Sequence, residues 1–427
     1  MNSIESLIEK IGLTDTQTLL ELYGNDDKIL QQQSQRYIGL LKQFATDFGN
    51  GSVTIFSSPG RTEIGGNHTD HNYGIVLAGA VNLDNVAVAA KNNSNTIHIH
   101  SIGYPDFKVE LSDLEPNKNE EFTSASLVRG INSRIKDLGF VIGGFNAVID
   151  GGVPKGSGLS SSASFEVLIG TIISSLFNNS GIDPVTIAMV GQYAENKFFG
   201  KPCGLMDQTA CAVGGFLSID FKDPLQPKVK KVDFDFASTG YTMVITDTGG
   251  NHADLNEDYA SLPAEMKSVA GFLGAKVLRE VSMEQIVEAI PVLREKTGDR
   301  AILRAFHFQN ENQRVLQQVE ALGKNDFKSF LQLVVQSGFS SYMYNQNIFT
   351  TTNIREQGVS LGLALSEMVL GEEGAWRVHG GGFAGTIQAF VPEHLIAVYT
   401  STLEKVFGVG ACKKLFIRKE GAKMLMF

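Results

Sequence analysis

The sequence predicts a mixed α/β (α+β) fold in two domains, and three observations lead there. The chain has 427 residues, more than one ordinary hydrophobic core fills, so two domains are the natural expectation. Its middle runs in the order strand, loop, helix. Phe145 to Ile149 is strand-like, Gly151-Gly152-Val153-Pro154-Lys155-Gly156-Ser157-Gly158-Leu159-Ser160-Ser161-Ser162-Ala163 is a loop of glycines and hydroxyls, and Phe165, Leu168, Ile169, Ile172, Ile173 and Leu176 line one helical face. Near residue 225 the texture changes: Pro224, Pro227 and Lys228-Val229-Lys230-Lys231 mark a boundary, giving domains at 1–226 and 227–427, the first led by a helical extension over 1–45.

Composition narrows the class. Hydrophobic residues make up 43% and charged residues 19% of the chain, which suits a globular protein with ample core. The net charge of −10 argues against nucleic acid or an anionic membrane as the main partner, while leaving a nucleotide free to bind at a local positive site. Cys203, Cys211 and Cys412 lack any CxxC spacing, so neither a disulfide framework nor a zinc site is suggested. No run approaches the roughly eighteen apolar residues of a spanning helix. The start, Met1-Asn2-Ser3-Ile4-Glu5, has neither the basic nor the apolar region of a secretory signal. A cytoplasmic monomer acting on small molecules is the expectation.

Along the first half, residues 3–45 read as short amphipathic helices, with Leu19, Leu20 and Leu22 in one and Tyr37, Leu40, Leu41 and Phe44 in another, broken at Gly24-Asn25-Asp26-Asp27. Val53 to Phe56 is a short strand. The stretch from Ser58 to Gly74 reads as one irregular segment carrying Arg61, Glu63, His68, Asp70 and His71 among glycines, and such loops hold polar ligands. Asn67, His68 and Asp70 can supply the paired donors and acceptors that a sugar ring needs, although a loop merely tied together by His68 and Asp70 would look the same. Ile75 to Ala90 is apolar and β-prone, Thr96 to Ser101 and Phe107 to Leu111 follow as strands, and Leu127 to Leu138 is helical.

The glycine–serine loop then leads into its helix, with Ser161 or Ser162 at or near the N-cap, where free N–H groups and the positive dipole end point outward. Glycines let the backbone close around a ligand, and serines add donors and can ligate a metal. The stretch reads as a phosphate cradle, a capped buried helix after a loop being the alternative. In the next helix Asp183 is the expected N-cap, Pro184 the N1 residue and Gly200 the stop. Glu195 lies near its end among Tyr193, Ala194, Phe198 and Phe199, where a magnesium ion or an ordinary ion pair would justify a carboxylate equally. Asp207 is expected in a small-residue turn before the strand from Val213 to Ile219; taken alone, such an Asp is more often a cap than a catalyst.

In the second half Tyr241 to Thr246 is a strand, and helices are predicted at 255–273, 283–295, 299–322, 326–338 and 353–370. Strands Arg377 to His379 and Thr386 to Val391 flank Gly380-Gly381-Gly382-Phe383-Ala384-Gly385, and a last helix and strand close the chain. Residues 380–385 satisfy G-x-G-x-x-G, but a strand follows where the dinucleotide fingerprint requires a helix. Walker A is absent as well, which leaves phosphates to the 156–163 loop.

Three motifs thus stand in one order: Pro59-Gly60-Arg61 with His68-Thr69-Asp70, then Pro154 to Ala163, then Gly380 to Gly385. This order resembles the GHMP family of small-molecule kinases over about residues 40 to 427, and the first motif together with Pro202-Cys203-Gly204-Leu205-Met206-Asp207-Gln208 is similar to the galactokinases within it. The resemblance implies two α/β domains with the active site in the cleft between them, ATP phosphates on Gly156, Ser157, Gly158, Leu159, Ser160, Ser161 and Ser162, and magnesium on Ser162 and Glu195. It implies Asp207 as the catalytic base, Arg61 as the charge stabiliser, and sugar contacts from Asn67, His68, Asp70, Gly204 and Tyr259. The implied reaction is ATP-dependent phosphorylation of D-galactose at its C1 hydroxyl.

Departures from the galactokinase pattern G-R-x-N-[LIV]-I-G-E-H-x-D-Y qualify the sugar. Glu63 stands for the asparagine, Gly65 for the isoleucine, Asn67 for the glutamate and His71 for the tyrosine, and Asn251-His252 stands where Arg-His is common. Asn67 matters most, because the resemblance gives that glutamate a distal sugar hydroxyl to bind; N-acetylgalactosamine, galacturonate and L-arabinose therefore stay open as substrates. A catalytically silent sugar sensor is the competing class, disfavoured by the intact Ser160-Ser161-Ser162-Ala163 together with Asp207 and Arg61. A non-sugar alcohol as substrate is disfavoured by His68-Thr69-Asp70.

Overall fold

A computed structural model describes residues 2–13, 16–154, 158–201, 203–250 and 255–427. The chain opens with strand β1 (Asn2–Ser3) and helices α1 (Ile4–Leu13), α2 (Thr16–Tyr23) and α3 (Asp27–Phe48). Strands β2 (Ser52–Gly65), β3 (Ile75–Lys91), β4 (Thr96–Ser101) and β5 (Phe107–Glu110) follow, then α4 (Ser124–Asp137), β6 (Phe145–Gly151), α5 (Ser161–Asn178), α6 (Pro184–Ala194), α7 (Met206–Val213), β7 (Phe216–Asp220) and β8 (Lys228–Val232). The second half holds β9 (Tyr241–Asp247), α8 (Asn256–Phe272), α9 (Met283–Lys296), α10 (Asp299–Gly323), α11 (Phe327–Ser340), α12 (Gly358–Leu370), β10 (Ala375–His379), β11 (Thr386–Pro392), α13 (Ile396–Phe407), β12 (Cys412–Leu415) and β13 (Lys423–Leu425).

Among the described residues these strands form two sheets. The larger has nine strands along β1-β2-β3-β6-β4-β5, with β13 added on β2 and β7 joining β3 to β8; the smaller runs β10-β11-β9-β12. The apolar run of β3 is explained by burial on both faces. Ala87 and Ala89 face the core made with α4, α5 and α6, whereas Val86 and Val88 face the core made with α1 to α3, the period of two expected of a strand. The N-terminal extension is thus the second cover of the larger sheet. A third core joins the two sheets, with Ile64, Leu77 and Phe216 from one side against Met243, Phe330 and Phe390 from the other.

Local punctuation follows the sequence at most ends. Asp26 caps α3 by accepting from the N–H groups of Lys28 and Ile29, and Asp183 does the same for Val185 and Thr186 ahead of Pro184. Four expectations are corrected. The segment from Ser58 to Gly74 is not irregular throughout: β2 continues to Gly65, with register breaks at Pro59/Arg61 and Glu63/Gly65, and such bulges re-aim side chains without ending the pairing. The N-cap of α5 is Ser160, held at φ 58°, and its side chain makes no cap bond. Asp207 lies in the first turn of α7 instead of in a turn, since Met206 and Ala210 are buried four apart on one helical face. The helix expected over 353–370 starts at Gly358. The sheet also runs across the expected 226/227 boundary, because β8 pairs with β7, and the chain returns to the larger sheet as β13.

Candidate active site

Arg61, re-aimed by the first bulge of β2, is the centre of the site. Its Nε and Nη2 donate to Asp207 Oδ1 and Oδ2, both at 2.7 Å, a two-point fork that fixes the carboxylate in plane. Arg61 Nη1 donates to the Gly158 carbonyl, and Ser160 Oγ donates to Asp207 Oδ2. The last part of the glycine–serine loop is therefore tied to the carboxylate directly. About a third of the Asp207 side chain, 32%, stays open. Burial alone would raise this carboxyl, but the Arg61 charge, its hydrogen bonds and that of Ser160 outweigh burial and hold it below its ordinary value. The first turn of a helix favours the same anion.

At the second residue of α5, Ser162 Oγ lies 3.5 Å from Glu195 Oε1. Glu195 is 3% exposed and opens the π turn Glu195–Phe199 that continues α6; such turns often mark functional sites. Lys201 Nζ, 3.4 Å from Glu195 Oε1, supplies a partly exposed cation. Behind it, Gln208 Nε2 donates to Glu195 Oε2 at 3.0 Å and to Glu166 Oε2 at 2.9 Å. Burial, with the Glu195 charge beside it, pushes the Glu166 carboxyl well above its usual range. Among the described residues no three His, Cys, Asp or Glu side chains gather into a metal cage. A hydroxyl and a carboxylate facing one another are instead a hard-oxygen pair, which fits magnesium, an ion that takes one or two protein carboxylates and completes its shell with phosphate and water oxygens.

Of the residues expected on the sugar side, Asp70 meets Gly204, and His68 and Tyr259 meet the glycine turn at Gly381 and Gly382. A Cβ on Gly204 would collide with Asp70 Oδ2, so only glycine lets the 203–205 backbone pass the carboxylate. His68 Nε2 bonds the Gly381 carbonyl at 2.9 Å. A carbonyl only accepts, so Nε2 carries the proton and Nδ1 is left as an acceptor. Burial and the neighbouring His71 lower this imidazole to about 4. Tyr259 Oη donates to the Gly382 carbonyl at 2.9 Å and its ring meets Phe383 edge-on, so His68 and Tyr259 brace the same glycine turn between β10 and β11.

Asn67, expected as a sugar contact, turns its amide inward and is fully buried. Its Nδ2 donates to Glu63 Oε1 and the Gly380 carbonyl, each at 2.9 Å, and its Oδ1 accepts from Asn347 Nδ2 at 2.9 Å and Ser341 Oγ at 3.2 Å. That is the full capacity of a side-chain amide. Arg377 Nη2 completes the knot on Glu63 at 2.7 Å. The acid and amide that the sequence exchanges between positions 63 and 67 thus bond to one another. Gly156, Ser157 and Asn251 lie outside the described residues. Sequence reasoning missed Gln208, Lys201 and Glu166; the signal that drew attention to Glu195, an acid on an apolar helix, was equally present at Glu166, four residues after Ser162.

Residues 126–215 match the model of the GHMP kinases N terminal domain, and residues 42–91 match the galactokinase galactose-binding signature. The fold is that of a GHMP-type small-molecule kinase. The chain is 34% identical over 358 residues to a galactokinase of Mannheimia succiniciproducens, covering 82% of this chain and 88% of that one. A galactokinase of Actinobacillus pleuropneumoniae is 30% identical over 373 residues, 86% of this chain and 94% of its own. The chain belongs to the galactokinase family, and is accordingly a sugar kinase that uses ATP. Its fold matches a solved structure of Lactococcus lactis galactokinase complexed with galactose, with a TM-score of 0.77 at 24% identity over 90% of this chain and 98% of that one. Methanococcus jannaschii mevalonate kinase follows at 0.60 and 15% identity, over 88% of this chain and 99% of its own. No helix among the described residues is long and apolar enough to cross a membrane.

Proposed function

We propose that this chain transfers the γ-phosphoryl group of ATP to the C1 hydroxyl of D-galactose, with Asp207 and Arg61 at the reacting atoms. The observation that carries this is the contact of Asp207 with both Arg61 and Ser160, which puts a fixed anion and a guanidinium at the mouth of the glycine–serine loop. The sugar oxygen bonds the γ-phosphorus while the bond from that phosphorus to the β-phosphate oxygen breaks, releasing ADP, and the hydroxyl proton passes to Asp207. A carboxylate of lowered basicity takes that proton late, which suits a loose phosphoryl-transfer transition state in which alignment and charge do most of the work. Arg61 sits where it neutralises charge developing on the transferred group.

Ser160, Ser161, Ser162 and the described end of the loop, with Gly158 and Leu159, cradle the phosphates at the N-terminus of α5. Ser162 and Glu195 would hold magnesium, which when bound neutralises charge on the nucleotide oxygens. Asp70, His68 through Nδ1, the Gly204 backbone and Tyr259 form the sugar side. A second reading has one observation in its favour: with its amide consumed internally, Asn67 offers the sugar no carboxylate. That leaves N-acetylgalactosamine, galacturonate or L-arabinose as competing substrates. ADP release in the presence of ATP, magnesium and each of these sugars, with the phosphorylated position read by phosphorus NMR, separates the readings. Release with galactose and a C1 phosphate supports the first; turnover of only another sugar supports the second, and binding without release overturns both.

A further inference from the structure

Helix α3 of the N-terminal extension reaches the end of the β3–β6 ladder through Arg36. Arg36, on α3, is 15% exposed and uses all five of its N–H groups. Nε donates to Asp150 Oδ2 at 2.6 Å; Nη1 donates to Asp84 Oδ1 at 2.8 Å and Gln33 Oε1 at 3.1 Å; Nη2 donates to the carbonyls of Asp84 and Asp150, both at 3.0 Å. Those carbonyls stand at the end of the β3–β6 ladder, whose last pair is Asn85 with Gly151. The chain then leaves the sheet at Gly152, whose N–H donates to the same Asp84 carbonyl at 2.9 Å. A Cβ on Gly152 would lie 2.6 Å from that carbonyl and 2.9 Å from Arg36 Nη2. Val153 follows, buried against Gly60.

Asp84 is itself immovable. Its side chain is fully buried and receives Tyr23 Oη at 2.7 Å, the Ser57 hydroxyl, and Arg418 Nη1 at 3.4 Å. At the far end of the loop, Arg61 N donates to the Leu159 carbonyl at 3.1 Å. One arginine therefore fixes where the glycine–serine loop departs from the sheet, and another fixes where it arrives at α5.

We propose that Arg36 is a positioning residue for the nucleotide: it holds Gly152 and Val153, and Val153, packed in one core with Leu159 and beside Gly60, steadies Gly158 to Ser162 for ATP. This rests on the reading of residues 156–163 as the phosphate site. It gives α3 a part in ATP binding. A lysine cannot replace the guanidinium here, because a point ammonium with three donors cannot serve two carboxylates and two carbonyls set around a plane.

The test compares the parent with Arg36→Lys and with Asp150→Asn, the latter a change at a side chain that is 31% exposed and therefore compatible with folding. Steady-state KM for ATP and for sugar is measured separately, together with the melting-temperature shift that ATP alone produces. Arg36→Lys is expected to raise the KM for ATP roughly tenfold, as small misplacements do, to leave the KM for sugar within about twofold, and to shrink the ATP-induced shift; Asp150→Asn moves the same quantities less. Unchanged ATP parameters in both variants, or ATP and sugar KM rising together, overturn the proposal while leaving the phosphate-loop reading in place. A parent that melts at the same temperature with and without ATP overturns that reading, and the role of Arg36 with it.

Discussion

Burial raises the Asp207 carboxyl, whereas the Arg61 charge, the two-point fork and the Ser160 hydroxyl lower it, and the lowering prevails. A carboxylate depressed in the folded state contributes stability above its unfolded value and loses it as the pH falls through the folded one. The acid limb of kcat should therefore lie below the ordinary carboxylate range, about 3.9. Replacing Arg61 by methionine removes the largest opposition to burial, leaving the Ser160 hydroxyl and the Lys201 charge, and should move that limb upward; an unmoved limb would assign the titration to another group. Asp207→Ala is expected to lower kcat by on the order of 10²–10⁴, and an unchanged kcat removes Asp207 from the chemistry. Asn67 makes the opposite kind of prediction. Asn67→Asp sets a second carboxylate at hydrogen-bond distance from Glu63 Oε1 and removes two donors from a closed network. A loss of about 1–3 kcal/mol or more is expected, read as a fall in denaturation midpoint. Stability equal to the parent would mean that the side chain faces solvent or sugar.

Elements place these residues, and two of them do so by closeness. The backbone before α7 passes Asp70 at Gly204, where any Cβ collides with the carboxylate. Gly204→Ala should raise the KM for sugar by roughly 10–100-fold through displacement of Asp70, with the KM for ATP little changed; equal shifts in both would point to general misfolding. Helices α1 to α3 cover Val53, Ile55, Val86, Val88 and Val148 on the outer face of the larger sheet. A chain starting at residue 50 exposes that face, and contiguous apolar patches of this kind associate. Size-exclusion chromatography should find it aggregated where the full chain elutes as a defined species.

At the scale of the whole molecule, buried imidazoles sit where the two sheets meet. His379 on β10 bonds Thr62 on β2 at 3.0 Å, and His307 on α10 bonds the Asn67 carbonyl at 2.8 Å. Burial lowers both, and His68 as well. A histidine whose value falls on folding stays neutral in the native state while the unfolded chain takes up a proton below about 6.5. Stability must then rise with pH through this window and drop as the pH falls from about 6.5 toward 5, above the range where most carboxylates titrate. Melting temperatures measured across that interval test this, and a flat profile would show that the rings protonate freely in the fold. The sequence was enough for most element positions, because apolar period, caps and glycine stops are local. It also located the loop and helix carrying Ser162, and it singled out Arg61 and Asp207, which lie 146 residues apart and depend on each other only in space. What the chain order could not show was the direction of a side chain. Asn67, read as facing a sugar, closes a knot with Glu63, Gly380, Ser341 and Asn347, and Glu166 hides behind Gln208. Arg36, on a stretch without visible chemistry, meets Asp84 and Asp150. Local pattern fixes where the backbone turns, because it depends on neighbours in sequence; which polar groups share a buried space depends on packing between distant segments, and only the tertiary structure decides that.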